Sequence, residues 1–200
     1  MTIPSRVEAA SLLLSLDPPA WHLRHSRAVA EVAGWLARRA AARGIRVDRA
    51  LVEAAALLHD ADKLLPPGDP AGRLPHGDGS GAWLRRRGHP ELEEAAAAHP
   101  VTRLADAAWA ETASTEATLV AYADKRAGQR LESMAARFAG WAARYPDGWD
   151  PAQAELARQR GADLEIRACA LAGVSPGDVR RLRWTGSALE AAIPRAEAVA

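Results

Sequence analysis

Apolar positions recur along the chain at helical spacing. Between Trp21 and Arg43, the residues Val29, Val32, Ala33 and Leu36 mark one face of a helix. His25 stands on the same stripe, four residues before Val29, which directs its side chain inward. Gly44 stops this helix, and Asp48 is placed to cap the next one, whose Leu51, Val52, Ala55 and Leu58 form an apolar face ending near Asp62. His59 lies four and seven residues after Ala55 and Val52, again on the apolar side. The run "LLPPGDPAGRLPHGDGSGA" then crowds proline and glycine into a loop that carries His76. A short helix through Trp83 and Leu84 follows. In "HPELEEAAAAHP", Pro90 opens a helix with acidic residues in its first turn, and His99 closes it because the residue before Pro100 is turned away from helical geometry.

After a polar stretch, Ser114 caps a helix running through Val120, Tyr122 and Asp124. Beyond Gly128, the spacing of Leu131, Met134, Phe138, Trp141 and Tyr145 predicts a long amphipathic helix. We read it as packed on the core, although the same face would suit a homodimer. Pro146, Asp147, Gly148 and Pro151 form a breaker, and the remainder divides into two or three shorter helices ended by Gly161, Gly173 and Gly186. The expected organisation is therefore a core over residues 1–150 and a C-terminal helical extension over 151–200 packed on it. Alanine dominates the apolar fraction and strand-like alternation is scarce, so the fold class expected is all-α, a helical bundle.

Composition narrows the partners. The 200 residues carry 26 basic and 25 acidic side chains, a formal net charge of +1, so no overall field draws in nucleic acid or an anionic membrane. Anion binding would have to come from a local cluster. The lone Cys169 excludes an intramolecular disulfide and reads as buried and inert. No stretch approaches the roughly 20 apolar residues of a membrane span, and the N-terminal run lacks a convincing cleavage site; the expectation is a soluble, cytoplasmic protein. His22 and His89 read as surface residues. Arg85, Arg86 and Arg87 read as a solvated face, as does "RRLRW" from Arg180 to Trp184.

The chemistry sits at the breaks between helices. His25, His59, His76 and His99 fall at helix starts, helix ends or in the glycine-rich loop, and Asp60 and Asp124 at comparable places. Their wide separation matches no short metal motif. A helical bundle can still bring them together, since its metal sites are built from inward-facing side chains on different helices. Four imidazoles and two carboxylates are enough donors for two ions with Asp60 as bridge. Such ions, roughly 3.5–4 Å apart, would lower the pKa of bound water toward about 7.

Taken in order, these pieces resemble the HD-domain metal-dependent phosphohydrolases. The segments are "RHSRAVAEVAGWLA" with His25, "VEAAALLHDADK" with His59, Asp60 and Lys63, "HGDGSGAWL" with His76, "EEAAAAHP" with His99 and "LVAYADKRAG" with Asp124, spanning about Arg24 to Arg130. The resemblance implies an all-helical fold in which His25, His59, Asp60 and Asp124 hold one metal. His76 and His99, with Asp60 as bridge, would hold a second. The ions implied are divalent, iron or manganese first, with magnesium, cobalt, nickel or zinc as alternatives. The activity implied is hydrolysis of a phosphate ester or anhydride of a small metabolite or nucleotide by metal-activated water. In it Asp60 orients the water, and Lys63, Arg126 and Arg130 hold the phosphate. The loop "HGDGSGA" is similar to that of the bacterial symmetrical diadenosine tetraphosphate hydrolases, the YqeK-like group. Pro100 stands where that group has threonine, and "KRAGQR" where it has an Ile-Glu-Pro run. The alternatives are a diiron oxygenase built on the same six ligands and a non-catalytic ligand-binding module.

Overall fold

The caps expected at Asp48 and Ser114 both form, and Ser5 adds a third. The computed structural model describes residues 3–145, 150–180 and 184–197. Helix α1 (Arg6–Leu14) opens on Ser5, whose Oγ accepts the Glu8 N–H at 3.3 Å while the Glu8 carboxylate accepts the Ser5 N–H at 2.8 Å. Helix α2 (Ala20–Ala42) is followed by Gly44 at φ +78°, a left-handed turn that glycine adopts without strain. Asp48 caps α3 (Arg49–Leu58) by accepting the Leu51 N–H at 3.0 Å, and Ser114 caps α7 (Thr115–Arg126) by accepting the Ala117 N–H at 3.1 Å. Among the described residues there is no strand; an isolated antiparallel bridge joins Ala127 and Leu131.

Several boundaries differ from the expectation, each for a local reason. Helix α3 stops at Leu58 rather than near Asp62, and the chain tightens into a 3-10 turn over Ala61–Leu64, where the Lys63 N–H bonds the Asp60 carbonyl at 3.1 Å. The glycine-rich run is half helical, since α4 (Asp78–Arg86) begins inside it. After a 3-10 turn at Pro90–Leu92, α5 (Glu93–Ala97) ends two residues before His99. The polar stretch holds a 3-10 turn at Val101–Ala105 and a short α6 (Ala107–Thr112) capped by Asp106. Helix α8 (Met134–Arg144) starts three residues later than Leu131, because Ser133 caps it and Leu131 is held in the bridge.

Of the three C-terminal glycines expected to end helices, only Gly173 does so. Helix α9 (Pro151–Ala172) runs unbroken through Gly161, where an added Cβ would stand 2.6 Å from Phe138 Cε2; this glycine lets α8 approach α9. Gly173, at φ +63°, does end α9. Helix α10 (Trp184–Glu197) passes through Gly186, which leaves room for the Arg27 guanidinium. The breaker residues Pro146, Asp147 and Gly148 lie outside the described residues, as do Arg181 and Arg183 of the basic run.

Helix α2 packs against α3, α7 and α9, while α10 packs on α1. Ala157, Leu164 and Ala168 of α9 share one buried cluster with Val29, Leu36, Leu58 and Val120. The described part of the extension therefore completes the same core instead of forming a second one. Among the described residues no helix is long and apolar enough to cross a membrane. Arg85, Arg86 and Arg87 are exposed, paired with Glu93, with Asp69 and with the face of Trp83 respectively. Cys169 is buried, as expected.

Candidate metal centre

Five segments converge on Asp60: α2 brings His25, the end of α3 brings His59, the segments before α4 and after α5 bring His76 and His99, and α7 brings Asp124. His25 Nε2 lies 3.1 Å from His59 Nε2, 3.5 Å from Asp60 Oδ2 and 3.3 Å from Asp124 Oδ1. His59 Nε2 is 3.7 Å from Asp60 Oδ1 and 3.6 Å from Asp124 Oδ1. On the other side of Asp60, its Oδ1 stands 3.1 Å from His99 Nε2 and 3.5 Å from His76 Nε2, and those two nitrogens are 2.9 Å apart. Two groups of three donors result, His25–His59–Asp60 and Asp60–His76–His99, with Asp60 common to both.

Hydrogen bonds fix which ring nitrogen faces inward. His59 Nδ1 donates to the Ala56 carbonyl and His99 Nδ1 to the Ala96 carbonyl, each at 2.7 Å in the last turn of its helix. His76 Nδ1 donates to Asp62 Oδ2 at 2.9 Å. In the neutral tautomer each Nε2 then turns a lone pair into the cluster. Lone pair faces lone pair at about 3 Å, which is repulsive with nothing between them. Asp60 Oδ1 is buried beside them with no hydrogen-bond partner among the described residues. Nitrogens about 2.0–2.1 Å from a shared ion stand at about this separation, and imidazole with carboxylate is a donor set for divalent transition metals. The residues therefore fit a bound divalent cation.

Charge in the cluster is set by burial against neighbours. Burial would raise the Asp60 carboxyl, but the adjacent His59, His99 and Lys63 outweigh it and hold it well below the usual carboxylate range. Burial likewise opposes ionisation of Asp124, and His25, His59 and Lys125 hold it low. Burial and the neighbouring His59 push His99 down to about 4, which keeps the ring neutral and ready to ligate. His25 is raised: burial alone would lower it, and the bond and charge of Asp124 reverse the sign.

Lys63 and Arg130 stand at the mouth of a cleft of about 1390 Å³ that the cluster opens into. Lys63 Nζ bonds Asp60 Oδ2 at 2.8 Å, and its side chain is 42% exposed. Arg130 is 84% exposed and loosely paired with Glu132 at 3.4 Å. Arg126, expected at the phosphate, is elsewhere. Two residues past Asp124 is about 200° around the helix, so it points away. Its Nη1 donates to Tyr122 Oη, Glu165 Oε1 and the Pro176 carbonyl at 2.6, 3.2 and 3.1 Å, and its Nε donates to the Glu132 carbonyl at 2.6 Å. It ties α7 to α9 and to the chain beyond.

Sequence reasoning missed three supporting residues. His22, expected at the surface, is fully buried and donates from Nε2 to the Asp60 carbonyl at 3.1 Å; its place one turn before His25 was the available signal. His89 is half-buried. Asp62 accepts from both His76 Nδ1 and the Gly77 N–H, the latter at 2.7 Å, while its own N–H bonds Ser80 Oγ at 3.0 Å. Gly79 makes this possible, since a Cβ there would meet the Ala71 carbonyl at 2.6 Å and Asp62 Cβ at 2.9 Å. Lys125 is fully buried; its Nζ donates to the His99 carbonyl and lies 3.8 Å from Asp124 Oδ2. Burial lowers it to about 8 against the pull of Asp124.

Comparison with known proteins places this geometry in a wider group. A family model described as the HD domain matches residues 23–128, a span that contains all six donors and Lys63 and ends before α8. Among curated proteins and among solved structures, none matches the chain.

Proposed function

Because the chain belongs to the HD domain family, a superfamily of metal-dependent hydrolases, we propose that it is a phosphohydrolase that cleaves a phosphate ester or anhydride of a small metabolite or nucleotide. The observation that carries this reading is the pair of three-donor groups sharing Asp60, with the Lys63 ammonium on the same carboxylate and facing an open cleft. His25, His59, Asp60 and Asp124 would hold one divalent ion, and Asp60, His76 and His99 a second; iron or manganese suits this mixture of imidazole and carboxylate, with magnesium, cobalt, nickel or zinc as alternatives. Bound there, the metals would supply Lewis acidity and a water acidic enough to lose its proton near neutral pH.

The chain's own groups divide the remaining work. Asp60 is ionised and can accept a hydrogen bond from the attacking water. Lys63 is half-exposed on a flexible stem, so it can exchange the Asp60 oxygen for a phosphoryl oxygen without crossing the core. Arg130 is free to swing toward the same anion. Charge-assisted bonds from these two would offset the negative charge that develops on the phosphoryl oxygens.

The test is metal analysis of the purified protein together with a screen from an aryl phosphate through nucleoside mono- and polyphosphates to diadenosine tetraphosphate. The expected result is bound transition metal and phosphate release that a chelator stops. Iron with oxygen-dependent turnover and no phosphate release would replace this reading with an oxygenase. A metal-free protein, inert with added manganese or iron, would point to a non-catalytic module.

A further inference from the structure

The metal side of the cleft lies within the matched family span, while its opposite wall is built by α8 and α9. That wall carries an arginine in an unusual setting. Arg137 is largely buried, its guanidinium lies over the Trp141 ring at 4.8 Å, and its Nε has no hydrogen-bond partner among the described residues. Its nearest carboxylate, Glu132, is 3.8 Å away and is shared with Arg130, so two cations face one anion. Gly128 leaves the space it occupies: a Cβ there would stand 3.0 Å from Arg137 Nη1. Beside it, Phe138 meets Trp141 edge to face at 5.2 Å, and both line the cleft with Met134.

We propose that Arg137 and Trp141 form a recognition shelf that selects substrates carrying a flat ring and a second anionic group besides the phosphate at the metal centre, the chemistry of a nucleoside diphosphate. The inference rests on the phosphohydrolase reading of the same cleft. A largely buried guanidinium with an idle donor, sharing its nearest carboxylate with a second arginine, calls for an anion, and its planar fork suits phosphate oxygens. Trp141, half-buried on the cleft wall beside this guanidinium, supplies aromatic surface against which a flat ring can pack. Lys63 serves the anion at the metal side, so an anion at Arg137 is a second one. The volume of about 1390 Å³ exceeds what a monoester with a small alcohol fills and accommodates such an elongated molecule.

Binding by the full-length, manganese-loaded protein decides the matter whether or not turnover occurs. The probes are a methylene-bridged nucleoside diphosphate, the nucleoside monophosphate and inorganic pyrophosphate, titrated by calorimetry. The diphosphate should bind roughly tenfold or more tighter than the monophosphate, the scale of one charge-assisted pair, and by about as much over pyrophosphate, the scale of one stacked base. Arg137→Ala should bring the diphosphate to within about twofold of the monophosphate, and Arg137→Lys should recover part of the difference. Trp141→Ala should instead narrow the gap between diphosphate and pyrophosphate. Equal affinity for diphosphate and monophosphate in the wild type, or an unchanged ratio in Arg137→Ala, overturns the proposal. Absence of phosphate release from every ester would refute the phosphohydrolase reading and leave this binding result standing on its own.

Discussion

Asp62 offers the most discriminating perturbation, because it touches one side of the metal cluster and not the other. Its Oδ2 holds His76 Nδ1 at 2.9 Å and the Gly77 N–H at 2.7 Å. Burial disfavours its charge, and the bond and charge of His76 hold the carboxyl below its usual range all the same, so an ionised acceptor orients this ring. Replacing it with alanine frees His76, the one exposed side chain among the six donors, and leaves the Gly77 N–H without its acceptor. Loss of such an outer hydrogen bond typically lowers metal affinity about 10–100-fold, or roughly 1.4–2.7 kcal/mol. The unpaired amide adds about 1–3 kcal/mol of destabilisation, which a 200-residue domain should survive. Manganese titration of the metal-free protein should then resolve two classes of site: one near wild-type affinity, from His25, His59, Asp60 and Asp124, and one weakened by that factor. Asp62→Asn, which keeps an acceptor oxygen without the charge, should fall between. Equal weakening of both sites, or two wild-type affinities in a folded Asp62→Ala, would refute the assignment of His76 to a separate ion.

Four further outcomes follow from the geometry. His59→Ala and Asp60→Ala should each abolish phosphate release and lower bound metal, whereas Lys63→Ala should reduce turnover by about 10²-fold with metal content retained, as elemental analysis would show. Gly79→Ala forces α4 away from the Ala71 carbonyl and should cost about 1–3 kcal/mol in urea unfolding. Arg126→Ala should destabilise by about 2–4 kcal/mol, since it takes the cation from the Tyr122–Glu165 pair and the donor from the Glu132 and Pro176 carbonyls, while metal content stays at the wild-type level; loss of metal would contradict its structural role. Saturating metal at about 100 times its dissociation constant should add roughly 2.7 kcal/mol to stability, read as a rise in melting temperature that chelation reverses.

Much of the fold was legible because it depends on local signals. Asp48 and Ser114 cap the helices they precede, and the stripe from His25 to Leu36 fixes the inward face of α2. Gly161 and Gly186 misled because a glycine that admits a neighbouring helix is identical in sequence to one that ends its own; the difference lies in Phe138 and Arg27, far along the chain. The same applies to Arg126. Its spacing from Asp124 suggested proximity to the ligands, yet two residues along a helix is the opposite face, and Glu165 and Pro176 supply its partners from 39 and 50 residues away. The six donors could be read from their positions at helix breaks and from the family resemblance. Asp62 could not, since a carboxylate behind a ligand leaves no periodic trace, and His22 showed itself only by standing one turn before His25.

His59 and His99 share one local device, an Nδ1–H closing on the carbonyl three residues back as its helix ends. Carbonyls of a last helical turn lack main-chain donors, so each imidazole finishes its helix with one nitrogen and offers the other to the cluster. For anyone redesigning the site, ligand identity and helix termination are thus a single choice at these two positions. A cysteine or carboxylate swapped in to change metal preference would leave α3 and α5 each with an open end. Altering His25 or Asp124, which would ligate from mid-helix and near the end of α7 without closing either helix in this way, would leave those ends intact.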